Sequence, residues 1–184
     1  MPAPAAAEAA PTFYNPLEML HACHGKILRQ CDTLRNLSAH LAGNGCDQQV
    51  QQAAQNILRY FDSAGLFHHQ DEEVDVFPAL VAAAGSDAEH LDMLLARLLQ
   101  DHISMLAAWD ALRPALLNLS QGMAVPLSPA VVENFISRYT GHIAVEENEL
   151  FPLALRLLDA GQILTIGMRM AERRGVKFIS GNTP

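Results

Sequence analysis

Two stretches of this chain carry the same side chains at the same spacing, and the side chains are of the kinds that hold metal ions. Residues 68–78 read HHQDEEVDVFP and residues 142–152 read HIAVEENELFP, so both fit H-x3-E-E-x3-F-P without a gap. In a helix, a His and a Glu four residues apart lie on one face, one turn from each other. His68 with Glu72, and His142 with Glu146, can each aim an imidazole and a carboxylate at one point. Two such copies facing each other across a helical bundle describe a two-metal site of the His/carboxylate kind.

The elements that must position them are helices. The chain has 184 residues, half of them hydrophobic and only 6% aromatic, and Ala and Leu dominate its long segments. That length suits one domain with a substantial core, and that composition favours helix over sheet. Residues 1–14 read as an Ala/Pro-rich tail. Asn15-Pro16 then supplies a cap and a first-turn proline for a helix running to about Ala42, with Leu17, Leu20, His24, Ile27, Cys31 and Leu34 on one stripe. A second helix starts near Asp47, carries Ile57, Phe61, His68, Glu72 and Val76, is kinked by Pro78 and closes at Gly85-Ser86-Asp87. The third holds Leu91, Leu95, Leu98, His102, Met105, Trp109, Leu112 and Leu116, with a bend at Pro114. The fourth follows Ser128-Pro129, carries Val132, Phe135, Tyr139, His142, Glu146, Leu150 and Leu157, and ends near Gly161. Short connections make neighbours antiparallel. The expected fold is an all-α, up-down-up-down four-helix bundle over 15–161 with a metal site in its core, and 162–184 form a C-terminal extension with a short helix between Gln162 and Arg174.

In such a bundle, residues equally far from a shared turn stand at one height. His24 and His68, His68 and His102, and His102 and His142 all meet this condition, with mismatches of roughly 2 to 5 Å at about 1.5 Å per residue. All four histidines can share one layer. His40 is 16 residues from His24 and His90 is 12 from His102, about 24 and 18 Å along the axis, so neither reaches it. His69 could pair with Glu73 at the same four-residue spacing, but the second copy has Ile143 in that place, which favours His68 and Glu72. His21, one turn before His24 on nearly the same face, is a candidate fifth histidine. Glu73 and Glu147 are offset by about 100° and read as supporting or surface acids. Tyr139, one turn before His142, reads as a boundary residue or a donor to a bound ligand, and Trp109 as core.

Burying two carboxylates and four imidazoles together costs several kcal/mol per group unless something compensates them. A pair of cations does so; a buried His–Glu hydrogen-bond network is the alternative. Carboxylates and imidazoles without a thiolate cluster suit iron, manganese or zinc. Two bridging Glu and four His fill about eight of the roughly twelve positions on two six-coordinate ions. The remainder would take an oxo or hydroxo bridge and water or a small ligand.

On these residues, His24, the paired H-x3-E-E-x3-F-P copies and His102 in Asp101-His102-Ile103, the chain resembles the hemerythrin-like family, also called the HHE cation-binding domain, over roughly residues 16–160. The resemblance implies a bundle holding two non-haem iron ions. His24, His68, His102 and His142 look like terminal ligands and Glu72 and Glu146 like bridges. Family members include oxygen carriers, oxygen or iron sensors, and proteins linked to repair of iron–sulfur centres.

The expected function is therefore a binding protein for O2, NO or iron itself, in sensing, storage or scavenging. An enzyme that reduces peroxide or NO, or delivers iron for repair, is the second reading, and an interaction module with a purely structural metal the third. The formal charge of −8 argues against nucleic acid or an anionic membrane as partner. No secretory signal or membrane span is read. Three cysteines, Cys23, Cys31 and Cys46, read as free thiols of a reducing, cytoplasmic compartment. An exposed Leu/Ala face could support a homodimer.

Overall fold

The computed structural model describes residues 12–177. The tail expected over 1–14 lies outside the described residues up to position 11, and so does 178–184 of the C-terminal extension. Helix α1, Pro16–Asn44, starts with its proline in the first turn, where the missing N–H costs nothing. Asn15 precedes it, but its amide turns to Glu18 (3.2 Å) instead of capping a backbone N–H. The helix runs two residues past the expected end at Ala42 and breaks at Gly45, whose φ of 75° suits glycine.

Asp47 caps helix α2, accepting from the Val50 N–H at 3.0 Å. Helix α2 covers 48–83 in three α-helical pieces, Gln48–Arg59, Gly65–Asp71 and Phe77–Ala83, joined by π turns at Tyr60–Ala64 and Glu72–Val76. The disturbance expected at Pro78 takes the form of the second of these turns. Pro78 has no N–H to offer Val74, and its ring crowds that carbonyl; a wider π turn absorbs the mismatch. Helix α4 repeats the arrangement: Pro129–Val145, a π turn at Glu146–Leu150, then Phe151–Leu157 with Pro152 in its first turn. Between them, helix α3, Ala88–Ser120, runs through Pro114 as continuous α-helix.

The fourth helix ends earlier than the sequence suggests. Leu158 is extended, and Asp159 with Gln162 forms a capping box that opens helix α5, Ala160–Arg173. Gly161 therefore lies inside a first turn and terminates nothing. Helix α5 buries Ile166 and Met170 against the bundle. Gly167 lets the N-terminal turn approach, since a Cβ there would stand 1.8 Å from the Phe13 carbonyl oxygen.

The core is split into two apolar blocks. One holds Ile27, Ile57, Phe61, Met105, Trp109, Leu112 and Phe135; the other holds Leu17, Leu20, Val76, Leu80, Leu91, Leu98, Leu150 and Leu153. The second block takes the first turns of α1 and α3 and the last turns of α2 and α4, so the four helices alternate in direction. Each buried Leu or Phe adds about 1.5–3 kcal/mol. The candidate site lies between the blocks. Among the described residues no helix is long and apolar enough to cross a membrane.

Candidate metal centre

His24, His68, Glu72, His102, His142 and Glu146 come from four helices and are all at most 2% exposed. They form two groups that share both carboxylates. In the first, the Nε2 atoms of His24 and His68 face each other at 3.2 Å. In the second, those of His102 and His142 do so at 3.1 Å. Glu146 places Oε2 3.0 Å from His24 and Oε1 3.0 Å from His142. Glu72 places Oε1 3.3 Å from His68 and Oε2 3.5 Å from His102. Each carboxylate thus presents one oxygen to each histidine pair.

The donor atoms fit a pair of cations. None of the four oxygens of Glu72 and Glu146 receives a hydrogen bond of proper geometry, which is costly for fully buried carboxylates. Donors about 2.0–2.2 Å from one ion stand about 3.0–3.5 Å from each other, the spacing found. Burial pushes the Glu72 carboxyl well above the usual range, with Glu146 adding to the push. Burial pulls His68 down to about 3, so that imidazole is neutral and its lone pair available.

The second acid of each motif copy has a different task. Glu73 accepts from His102 Nδ1 at 2.6 Å, and Glu147 accepts from His24 Nδ1 at 2.5 Å. A proton held on Nδ1 leaves Nε2 bare and turned to the centre. The aromatic residue closing each copy stacks on the same ring: Phe77 on His102 at 6.1 Å and Phe151 on His24 at 5.3 Å between centroids. One copy therefore gives a carboxylate to the centre, and a second carboxylate and a phenyl to the lone histidine of a neighbouring helix.

The three further candidates stand apart from the two buried groups. Glu73 is occupied with His102 because it sits one residue, about 100°, round the helix from Glu72. His69 is buried and its ring lies flat against His102, 4.1 Å between centroids, with Tyr139 beyond it at 6.2 Å. His21 is exposed, and its Nδ1 donates to Glu147 at 2.7 Å, forming a third, more open group with His24 and Glu147. A groove of about 770 Å³ borders this corner, lined by residues that include His21, Cys23, His24, Lys26, Ile143 and Glu147. His90 is exposed, and His40 pairs with Asp47 at 2.7 Å. Tyr139 is buried in an aromatic cluster with Phe61 and Phe135. Cys23, Cys31 and Cys46 are all free thiols, and burial pushes Cys31 up to about 12.

Sequence reasoning missed one set of residues beside the site. Asp71 and Asp75 are buried on either side of Glu72 and pair with Arg173 and Arg174 at the end of α5. The available signal was the difference between the motif copies, which have Asp71 and Asp75 in one and Val145 and Glu149 in the other.

A helical bundle whose core is interrupted by four imidazoles and two shared carboxylates is, by architecture, a cation-binding bundle. The family model described as the hemerythrin HHE cation-binding domain matches residues 15–154. The chain is also 36% identical over 166 residues to an uncharacterized protein of Haemophilus influenzae, covering 90% of this chain and 94% of that one. The chain belongs to the hemerythrin HHE cation-binding domain family.

Proposed function

We propose that this protein holds two non-haem iron ions and binds a small ligand there, O2 or NO, or keeps iron itself, for sensing, storage or scavenging. The observation that carries the reading is the disposition of Glu72 and Glu146, each with one oxygen toward each histidine pair. Four imidazoles and two carboxylates suit iron, with manganese and zinc accepting the same donors. His24, His68, His102 and His142 would hold the ions singly, and Glu72 and Glu146 would hold them jointly. When bound, the pair supplies coordination positions for a diatomic ligand. The chain's own part is to fix the donors: Glu73 and Glu147 keep a proton on the far nitrogens of His102 and His24, and the two apolar blocks exclude water. The groove beside His21 and Glu147 is the approach for a small ligand.

The test is metal content together with the near-ultraviolet and visible spectrum of iron-grown protein, before and after reduction and re-exposure to oxygen. About two irons per chain, with charge-transfer bands that respond to redox or to added NO, is the expected result. Zinc or no metal, with stability unchanged in chelator, would leave a buried polar network as the better account.

A further inference from the structure

We infer that Arg173 and Arg174 are positioning residues for the centre: from the end of α5 they clamp the π turn that presents Glu72. The inference rests on the metal reading given above. Arg173 spans the turn, one amino group on Asp71 and the other on Asp75 Oδ2 at 2.7 Å. Arg174 grips both oxygens of Asp71, at 2.9 and 2.6 Å. Asp71 directly precedes Glu72, and Asp75 lies within the same π turn, Glu72–Val76. One guanidinium therefore ties the two ends of the turn together.

The energetics make the clamp consequential. Asp71 and Asp75 are at most 2% exposed, and stripping the partner from a buried carboxylate leaves an uncompensated charge and is strongly destabilising. Without Arg173 and Arg174, Asp71 loses both its cations and Asp75 keeps Arg169 alone, 3.7 Å from its Oδ1; the turn then rotates or unwinds to bring Asp71 to water, and Glu72 is the next residue. The π turn Glu72–Val76 is an interruption of the α-helical hydrogen-bond ladder, of the kind frequent at functional sites. Lysine is a poorer substitute, since its ammonium is a point charge on a flexible stem and lacks the planar fork that holds two acceptors in fixed geometry.

The second copy of the motif shows what the clamp is for. There Val145 replaces Asp71 and is buried, while Glu149 replaces Asp75 and is exposed, 3.9 Å from Arg97. Among the described residues the Glu146 turn has no such clamp. Helix α5 also lies beyond residue 154, where the family match ends. The fifth helix thus acts on one carboxylate of the pair, and cation affinity depends on it.

The experiment uses the full chain and Co2+, whose visible spectrum reports coordination geometry. Wild type is titrated first by chelator competition; failure to bind would overturn the metal reading and the clamp with it. Given binding, Arg173→Gln/Arg174→Gln should raise the Kd about tenfold or more and alter the Co2+ bands, as loss of a supporting group does elsewhere. Met170→Ala loosens the same helix by a cavity while keeping the backbone carbonyl that accepts from Arg174 at 3.0 Å. It should lower Tm yet keep the Kd within about threefold and the spectrum unchanged. If the double variant does not fold, Arg174→Gln alone decides, because it leaves the Arg173 bridge in place; a smaller rise in Kd with altered bands supports the clamp. Unchanged affinity and spectrum in the arginine variants, or an equal loss in Met170→Ala, overturns it while leaving the metal reading intact.

Discussion

Glu73 on α2 holds Nδ1 of His102 on α3 at 2.6 Å, and through that contact fixes which nitrogen of the ring faces the centre. Glu147 on α4 does the same for His24 on α1. The two contacts close the bundle into a cycle in which each lone histidine is oriented by a helix carrying a motif copy. Glu73→Ala should therefore weaken cation binding about 10–100-fold while leaving stoichiometry at its wild-type value. Chelator competition measures it; affinity equal to wild type would make Glu73 a surface acid.

Removal of a group inside the centre is a different event. His68→Ala and Glu146→Ala should lose metal and much stability together, because binding and folding are linked. His40→Ala and His90→Ala, far along the helices, should do neither. Equal metal content in all four variants, measured by elemental analysis, would sink the site assignment.

Stripping the metal should lower Tm in a concentration-dependent way. A cation present at 100 times its Kd adds about 2.7 kcal/mol, so thermal scans with rising Zn2+ or Fe2+ should move Tm upward from the chelated value. A Tm indifferent to both chelator and added metal contradicts the centre.

Asp62 gives a pH-dependent contribution remote from the centre. It accepts from Arg113 Nε at 2.9 Å and from Trp109 Nε1 at 3.0 Å. The Arg113 bonds lead in holding its carboxyl below the usual range, with Trp109 assisting against burial. A carboxyl held low in the fold adds stability above its unfolded value near 3.9, and that stability is lost as pH falls through the folded value. With its side chain 35% exposed, the pair is screened and adds about 1 kcal/mol or less. Asp62→Asn should be less stable by that amount at pH 7, and the gap should close below about pH 4. Denaturant melts across pH decide it, since a constant gap would exclude a charge effect.

Gly167 marks where the N-terminal turn lies against α5. Gly167→Ala forces a Cβ to within 1.8 Å of the Phe13 carbonyl oxygen, an overpacking worth about 1–3 kcal/mol. The expected outcome is release of the turn around Phe13, read as faster amide exchange there, with the bundle intact. Unchanged exchange would mean that α5 shifts instead.

Much of this was legible in the residues. Six polar side chains on four apolar stripes, matched in height by counting from the turns, converge as counted, because straight helices of fixed rise leave little freedom. The π turns were not legible: over five residues, a period of 3.6 cannot be told from a wider one, although Phe-Pro after Glu72 and Glu146 was the physical cause of two of them in plain view; the turn at Tyr60–Ala64 has no proline after it. Gly161 was misread because a glycine after an apolar stripe normally ends a helix, while Asp159 with Gln162 three residues on was the stronger sign of a beginning. The arginine clamp was hidden by distance. Asp71 and Arg173 are 102 residues apart, and each alone reads as an ordinary surface charge.

A π turn is an α-helix carrying one residue more than its pitch needs, and that surplus has a consequence for anyone moving the motif elsewhere. Glu72 and Phe77 bracket one such surplus, and Glu146 and Phe151 the other. Grafted onto a regular helix, the same letters would put the carboxylate and the phenyl about 100° out of phase. The portable unit is a length of backbone as well as a string of side chains: on a regular helix the carboxylate and the phenyl regain their relative phase only when one of the residues between them is removed.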